Sequence, residues 1–455
     1  MIYEVSKINE GFVGNALCTL TVQKVVDECS ANGGGIVRFG KGVYVLGTVF
    51  LKSNVTIEIP EGTEILGAES YYDYAQEEKI DYPIYQDSSH TYFHPSMFVG
   101  LDCENVKITG GGKIDMRSVW DEDGVRGEAI KHRGAKCIAL KNCKNVELSN
   151  LEIYNVTDLA VYFAGCENVD IYGIKMRVYI DGISPDNSKN VRIHDCDVET
   201  GDDGIVFKSS YTLNRLDICK DIHVWDCKIK SRCNALKFGT ETNGGFENIL
   251  IENIDIKNTR ITGISIESVD GAIVDGVTIR NVKMQNVNAP VFVHVGKRMR
   301  GPAGRTIGKI KNITLENITA EGPYEEYEIM PWNYFSYKAG DTKQNPKVFG
   351  VAESFDGTQE TDDWQMTSNI CGLIESPLEN ITLRNVHLKL DGGVQEYNRN
   401  VPEDVQDYPE VYVYGRILPA KGIYFRHIDG VTLENVTVET YRKDTREDFI
   451  FDNVK

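Results

Sequence analysis

A short phrase of alternating apolar and polar positions returns along most of the chain. Asn105-Val106-Lys107-Ile108, Asn145-Val146-Glu147-Leu148, Asn168-Val169-Asp170-Ile171 and Asn190-Val191-Arg192-Ile193 each set a turn-forming residue before two apolar positions split by a polar one. Asp221-Ile222-His223-Val224, Asn248-Ile249-Leu250-Ile251, Gly276-Val277-Thr278-Ile279 and Asn312-Ile313-Thr314-Leu315 continue the series, which Asn380-Ile381-Thr382-Leu383 and Gly430-Val431-Thr432-Leu433 close. Period-two alternation over so few residues predicts strands with one buried face. Between residues 145 and 312 the steps are 23, 22, 31, 27, 28 and 36 residues. A unit of that length cannot bury its own apolar face, so it must stack on its neighbours. The uneven period and the lack of a leucine frame exclude leucine-rich repeats. Parallel strands stacked ~4.8 Å apart remain. The predicted architecture is all-β, a right-handed parallel β-helix forming a single domain over residues 1–455.

The pattern breaks in four places. From Leu20 to Cys29 the apolar positions Val22, Val25, Val26 and Cys29 have helical spacing, and Asn32-Gly33-Gly34-Gly35 ends them. A short helix there would cap the open end of the stack, within an N-terminal cap and first coils spanning 1–67. Residues 70–100, 321–372 and 391–420 interrupt the repeat with tyrosines, acidic residues and, in the second, Trp332 and Trp364. Insertions from a solenoid gather on one face and wall a cleft, where flat aromatic rings can stack on sugars. Tyr162 and its neighbours instead fall within the coils.

With 455 residues the chain exceeds the ~250–300 that one compact core sustains, so growth by repetition fits. A net charge of −19 argues against nucleic acid or an anionic membrane as partner, while leaving room for a small basic pocket. No apolar run approaches the ~18 residues of a membrane span. Met1-Ile2-Tyr3-Glu4-Val5 shows no secretory pattern, and eleven cysteines make an odd number without a Cys-x-x-Cys pair. Reduced thiols and a cytoplasmic location are expected, or secretion if a leader has been trimmed. Cys103, Cys143 and Cys166 each stand two residues before an Asn-Val phrase, which predicts a ladder of buried small residues rather than a metal site. Asn312-Ile313-Thr314 and Asn317-Ile318-Thr319 match glycosylation acceptors but fall where turn asparagines are expected.

One region carries chemistry: Tyr179-Ile180-Asp181-Gly182, then Thr200-Gly201-Asp202-Asp203-Gly204. Asp181 and Asp202 are 21 residues apart, about one coil, so they can lie above each other on adjacent turns. Side chains of Asp202 and Asp203 would face opposite ways in a regular strand; the flanking glycines suggest a strand end or bulge where both reach one cleft. Crowded carboxylates raise the proton affinity of at least one, as acid–base hydrolysis of a glycosidic bond requires. Turn formation alone and a calcium site are the alternatives.

These residues resemble glycoside hydrolase family 28, the polygalacturonase family, whose signature runs Asn-x-Asp-Gly and then Gly-Asp-Asp. Asp181-Gly182 and Gly201-Asp202-Asp203 occupy those places, and Ser184-Pro185-Asp186-Asn187-Ser188 between them is also similar. So are Gly33-Gly34-Gly35-Ile36-Val37 and Leu51-Lys52-Ser53-Asn54-Val55 near the start. The resemblance implies inverting hydrolysis without metal or organic cofactor. Asp202 would protonate the leaving oxygen, while Asp181 and Asp203 hold and activate water across a gap of ~6.5–9.5 Å.

The chain also departs from that family. A Gly-His-Gly motif would fall at Cys233-Asn234-Ala235, with Asn234 in place of histidine, and an Arg-Ile-Lys motif at Ser265-Ile266-Glu267. Two resolutions follow. Lys237, or Arg298 in Lys297-Arg298-Met299-Arg300, supplies the missing positive charge; or the sugar is neutral and Glu267 or Glu241 bonds its hydroxyls. His294, alternating with apolar neighbours, is a further candidate for the cleft, whereas Arg426 and His427 read as structural. The segment Tyr408–His427 resembles bacterial members acting on complex pectin side chains. The expected substrate is an oligosaccharide, pectin-derived and cut from its end. A lyase or glycan-rearranging enzyme on the same fold, or a non-catalytic carbohydrate-binding β-helix, are the rivals.

Overall fold

The computed structural model describes residues 1–5, 16–86, 88–119, 133–325, 365–397, 399–403 and 408–455. Within them the alternating phrase does what its periodicity requires. Val106, Val146, Val169, Val191 and Ile222 stand in register on successive parallel strands, each at most 2% exposed. Burying one such side chain contributes about 1.5–3 kcal/mol, and the coils repeat the gain along one axis. All strand pairing among the named strands is parallel, and the described strands join in one continuous sheet wound as a right-handed β-helix.

Asparagine recurs because the turn before each strand needs a left-handed backbone. Asn105, Asn145, Asn168 and Asn190 have φ of 57°, 54°, 58° and 52°, a region asparagine tolerates better than most residues. Their carboxamides also bond coil to coil: Asn145 donates to Asn105 at 3.0 Å, Asn168 to Asn145 at 3.0 Å and Asn190 to Asn168 at 2.6 Å. A second ladder, Asn253–Asn281–Asn317–Asn385–Asn435, runs along another corner. The two Asn-x-Thr sites at Asn312 and Asn317 are such turns, with φ of 55° and 53°. All eleven cysteines are free and buried, and the N–H of Cys143 donates to the Sγ of Cys166 in the expected stack.

The helix Thr19–Ala31 is slightly longer than its apolar spacing suggests, with Val22, Val25, Val26 and Cys29 buried. Gly34, at φ +98°, follows it; a Cβ there would sit 2.3 Å from the carbonyl oxygen of Asn54. Among the described residues, no helix is long and apolar enough to cross a membrane.

Each central coil has three strands. One consists of Glu167–Tyr172, Lys175–Val178 and Ile183–Asp186; the next of Lys189–His194, Asp197–Thr200 and Ile205–Ser209. A third consists of Ile218–Trp225, Lys228–Ser231 and Asn234–Thr242. The third strands turn Ile183, Ile205, Leu236 and Ile264 inward, all fully buried and in register. Period two then turns the alternate side chains away from that core: Val206, Lys237 and Ser265 in one row, Asp186 and Lys208 in the next. The corner leading into these strands is where the aspartates lie.

Candidate active site

Asp181 ends the corner before Ile183–Asp186, and Asp202 and Asp203 occupy the same corner one coil later. The glycines around them exist because the coils press together here. A Cβ on Gly201 would lie 2.2 Å from the Tyr179 carbonyl oxygen, and one on Gly204 would lie 2.5 Å from that of Ala235. Neither position accepts a side chain, so the backbone is drawn tight beneath the carboxylates. The hydroxyls of Thr200 and Ser231 both donate to the Asp202 carbonyl, at 2.7 and 2.6 Å. Asp202 and Asp203 therefore leave a corner rather than a bulged strand, and both reach the same hollow.

Asp181 is turned away from the solenoid interior. Its Oδ1 accepts the backbone N–H of Asp203 at 3.3 Å, and its Oδ2 lies 3.6 Å from the Lys208 ammonium. Burial raises its pKa; Lys208 opposes that and Asp203 adds to it. Asp203 accepts the backbone N–H and the carboxamide of Asn234 on one oxygen, at 2.9 and 2.8 Å. Its other oxygen is 3.5 Å from the Lys237 ammonium. Among the described residues, the half-buried Asp202 side chain has no such hydrogen bond or ion pair. Burial first, and then repulsion from Asp203 and Asp181, push its pKa up to about 7.

Around this trio lie further carboxylates, each near a cation. Lys208 touches Glu241 at 3.4 Å as well as the Gly239 carbonyl, and His90 approaches the same glutamate at 4.0 Å. Lys237 contacts Glu410 at 2.6 Å and Glu267 at 3.8 Å. Glu267 is fully buried, its Oε1 held by Ser265, and burial pushes its pKa up to about 8. Its Oε2 has no hydrogen-bond partner among the described residues. The structure thus brings together Asp181, Asp202, Asp203, Asn234, Lys237, Glu241 and Glu267.

Two expected contacts are placed elsewhere. His294, only 2% exposed, packs one coil beyond Glu267, stacked on Phe292 and bonded to the Tyr414 hydroxyl at 3.1 Å. The Phe292 and Tyr414 rings both pack against the imidazole, with centroids 5.5 Å away. Arg298 lays its guanidinium on Asp270, which is 1% exposed, and on the Thr240 carbonyl at 2.8 Å. Its guanidinium is thereby committed to Asp270, with Glu241 and Tyr408 also in its field. Arg426 and His427 are structural as expected, held by Asp452 and Glu403. Tyr162 is buried and stacked on Phe93. Trp332, Trp364 and most of the 321–372 insertion lie outside the described residues.

Sequence reasoning missed three groups at the site. Lys208 had a signal, since it alternates with the inward Phe207 one coil beyond Asp186. His90 and Glu410 had none, because both come from insertions without a repeat phase. A metal centre is poorly served: Asp202, Asp203 and Cys233 bring ligand atoms within 4.8 Å of one another. Burial and the adjacent carboxylates hold the Cys233 thiol well above its ordinary pKa, and a thiol is the wrong donor for calcium.

The model of glycosyl hydrolases family 28 matches residues 40–329. The chain belongs to that family. The exo-poly-alpha-D-galacturonosidase of Dickeya chrysanthemi is 22% identical over 286 residues, covering 52% of this chain and 47% of that protein. The chain spans about half or less of the length of the first curated relatives it matches. The family 28 exopolygalacturonase of Yersinia enterocolitica superposes with a TM-score of 0.67 at 19% identity, covering 100% of this chain and 78% of that one. A hyperthermoactive exopolygalacturonase from Thermotoga maritima gives 0.66 at 18%, covering 86% and 87%. Within family 28 the chain is a divergent member without Gly-His-Gly and Arg-Ile-Lys. Lys237 pairs in register with Ser265, so a cation stands one coil before the place of the missing arginine.

Proposed function

We propose that the protein is an inverting glycosidase that removes residues from the end of pectin-derived oligosaccharides. One observation carries the reading: three carboxylates from two coils share a corner, and the one with no hydrogen bond or ion pair among the described residues keeps its proton to about pH 7. Asp202 then donates that proton to the glycosidic oxygen as the bond to the anomeric carbon breaks. Water attacks that carbon from the opposite face and gives its proton to Asp181 or Asp203, which leaves an inverted product. Asn234 and Lys237 hold Asp203, and Lys208 holds Asp181, so the water-activating side is organised before substrate arrives.

The sugar beside the scissile bond is a neutral one in this proposal. Lys237 lies against Asp203, Glu410 and Glu267, Lys208 against Asp181 and Glu241, and Arg298 against Asp270. Among these described groups a uronate would meet more acids than cations. Removal from the end is supported by the segment around Tyr408 and Glu410, which covers Lys237 from outside the repeat. Buried, unpaired cysteines favour action in a reducing compartment.

The test is product analysis on pectin fragments and aryl glycosides, with the anomer followed by proton NMR during the first turnovers. An inverted reducing sugar is expected, with little release from polygalacturonate. A retained anomer, or an unsaturated product absorbing in the ultraviolet, overturns the mechanism. Brisk hydrolysis of polygalacturonate overturns the neutral-sugar assignment.

A further inference from the structure

Glu410 reaches the site from a turn far along the chain, 173 residues after Lys237. It is 4% exposed, and its Oε1 lies 2.6 Å from the Lys237 ammonium. The carboxamide of Asn234 donates toward both of its oxygens, at 3.3 and 3.2 Å. The same ammonium lies 3.5 Å from Asp203, and the same carboxamide donates to Asp203 at 2.8 Å. Each of the two residues that grip Asp203 is thus gripped from behind by one carboxylate.

That arrangement exceeds what anchoring a turn requires. The segment already has other holds: the Tyr408 hydroxyl meets Thr240 at 2.8 Å, and the Val411 carbonyl accepts from Asn369 at 2.8 Å. A buried glutamate facing Asp203 and Glu267 adds repulsion that an uncharged residue would avoid. Lys237 is the only described lysine or arginine with a charge contact to Glu410, so its position decides whether the group is tolerated.

We propose that Glu410 is a positioning residue for the hydrolytic reaction, acting on Asp203 through Lys237 and Asn234. The proposal rests on the assignment of Asp202 and Asp203 as the reacting carboxylates. Glu410 divides the attraction of Lys237 between two sides, so the ammonium sits against Asp203 without neutralising the whole cluster. The charged and titratable groups facing Glu410 are Lys237, Asp203, Glu267, Tyr408 and Cys233. Those facing Asp202 are Asp203, Asp181, Arg133, Lys237 and Cys233.

Replacing Glu410 by glutamine keeps its shape and removes one of the three carboxylates around Lys237. The ammonium then answers to Asp203 and Glu267 alone, the field at Asp202 becomes more positive, and Asp202 releases its proton earlier. The experiment is a titration of the Asp202 carboxyl stretch by difference infrared spectroscopy, with Asp202→Asn as the subtraction reference. It is run on wild type, Glu410→Gln and Glu410→Asp. A downward shift of about one pH unit is expected in Glu410→Gln, with a smaller change in Glu410→Asp, which retains the charge. On any substrate the wild type turns over, kcat should fall about tenfold in Glu410→Gln while KM stays within about twofold. An unmoved Asp202 titration in folded Glu410→Gln, or an equal shift in both variants, overturns the proposal. If the wild type hydrolyses nothing in the panel, the glycosidase reading fails, and the infrared titration still decides what Glu410 does.

Discussion

The backbone N–H of Asp203 points at the carboxylate of Asp181, one coil below, at 3.3 Å. Two acids are thereby joined through a donor neither could supply from its own side chain. The stacking that builds the fold is also what gathers the charge. Asp202, beside them but outside that bond, carries the resulting strain on its proton.

Replacing Asp202 by asparagine should lower kcat by about 10²–10⁴-fold, the range for loss of a general acid. The same change should stabilise the fold. A carboxyl whose pKa is raised on folding keeps a proton that the unfolded chain releases, so its stability contribution is whole below pH ~4 and falls until about pH 7. The variant's melting temperature should match wild type at pH 4 and exceed it at pH 8, by at most about 4 kcal/mol in stability. A lower melt at pH 8 would mean that the carboxyl has a structural task.

The pH dependence of kcat/KM should show an alkaline limb near pH 7, where Asp202 loses its proton. Activity falls about tenfold per unit above it. Initial rates across pH 4–9 at fixed ionic strength measure this. A profile flat to pH 9 contradicts the assignment of the acid.

Lys208→Met should be among the most damaging single changes at the site. It leaves Asp181 and Glu241 buried without the cation that lies 3.6 and 3.4 Å from them. Breaking a buried ion pair from one side costs about 3–5 kcal/mol, measurable from the denaturant midpoint. The loss should shrink as pH falls, because burial already raises the pKa of Asp181 and its protonation removes the stranded charge.

Away from the site, Asn145→Ala should destabilise by about 1–2 kcal/mol, because alanine resists the left-handed turn and breaks two carboxamide bonds. Asn145→Gly should lose less, since it keeps the backbone conformation. Equal losses in denaturant unfolding would show that the ladder bonds dominate over the turn.

Much of this was legible from residue pattern. The Asn-Val phrase marked the coils, and the spacing of Asp181 and Asp202 placed them on one corner, because a solenoid converts distance along the chain into height. Asn234 and Lys237 came instead from the family resemblance, at and just after the place of its histidine. His294 misled because alternation shows only that a side chain leaves the core; Phe292 beside it on the strand and Tyr414 from a distant segment cover it. Arg298 misled because its partner Asp270 lies in a loop of the preceding coil. Glu410 could not be placed, since nothing in a non-repeating segment says where it folds back.

The tight corners at Gly201 and Gly204 also limit how this scaffold can change. The steps of 22 to 36 residues show that turns elsewhere absorb length, but adding or deleting one residue at the corner Gly201–Gly204 would pull the carboxylates off the tightly packed backbone that places them. New specificity must therefore arise in the segments that leave the coils, where length is free, while the reacting corner is inherited whole.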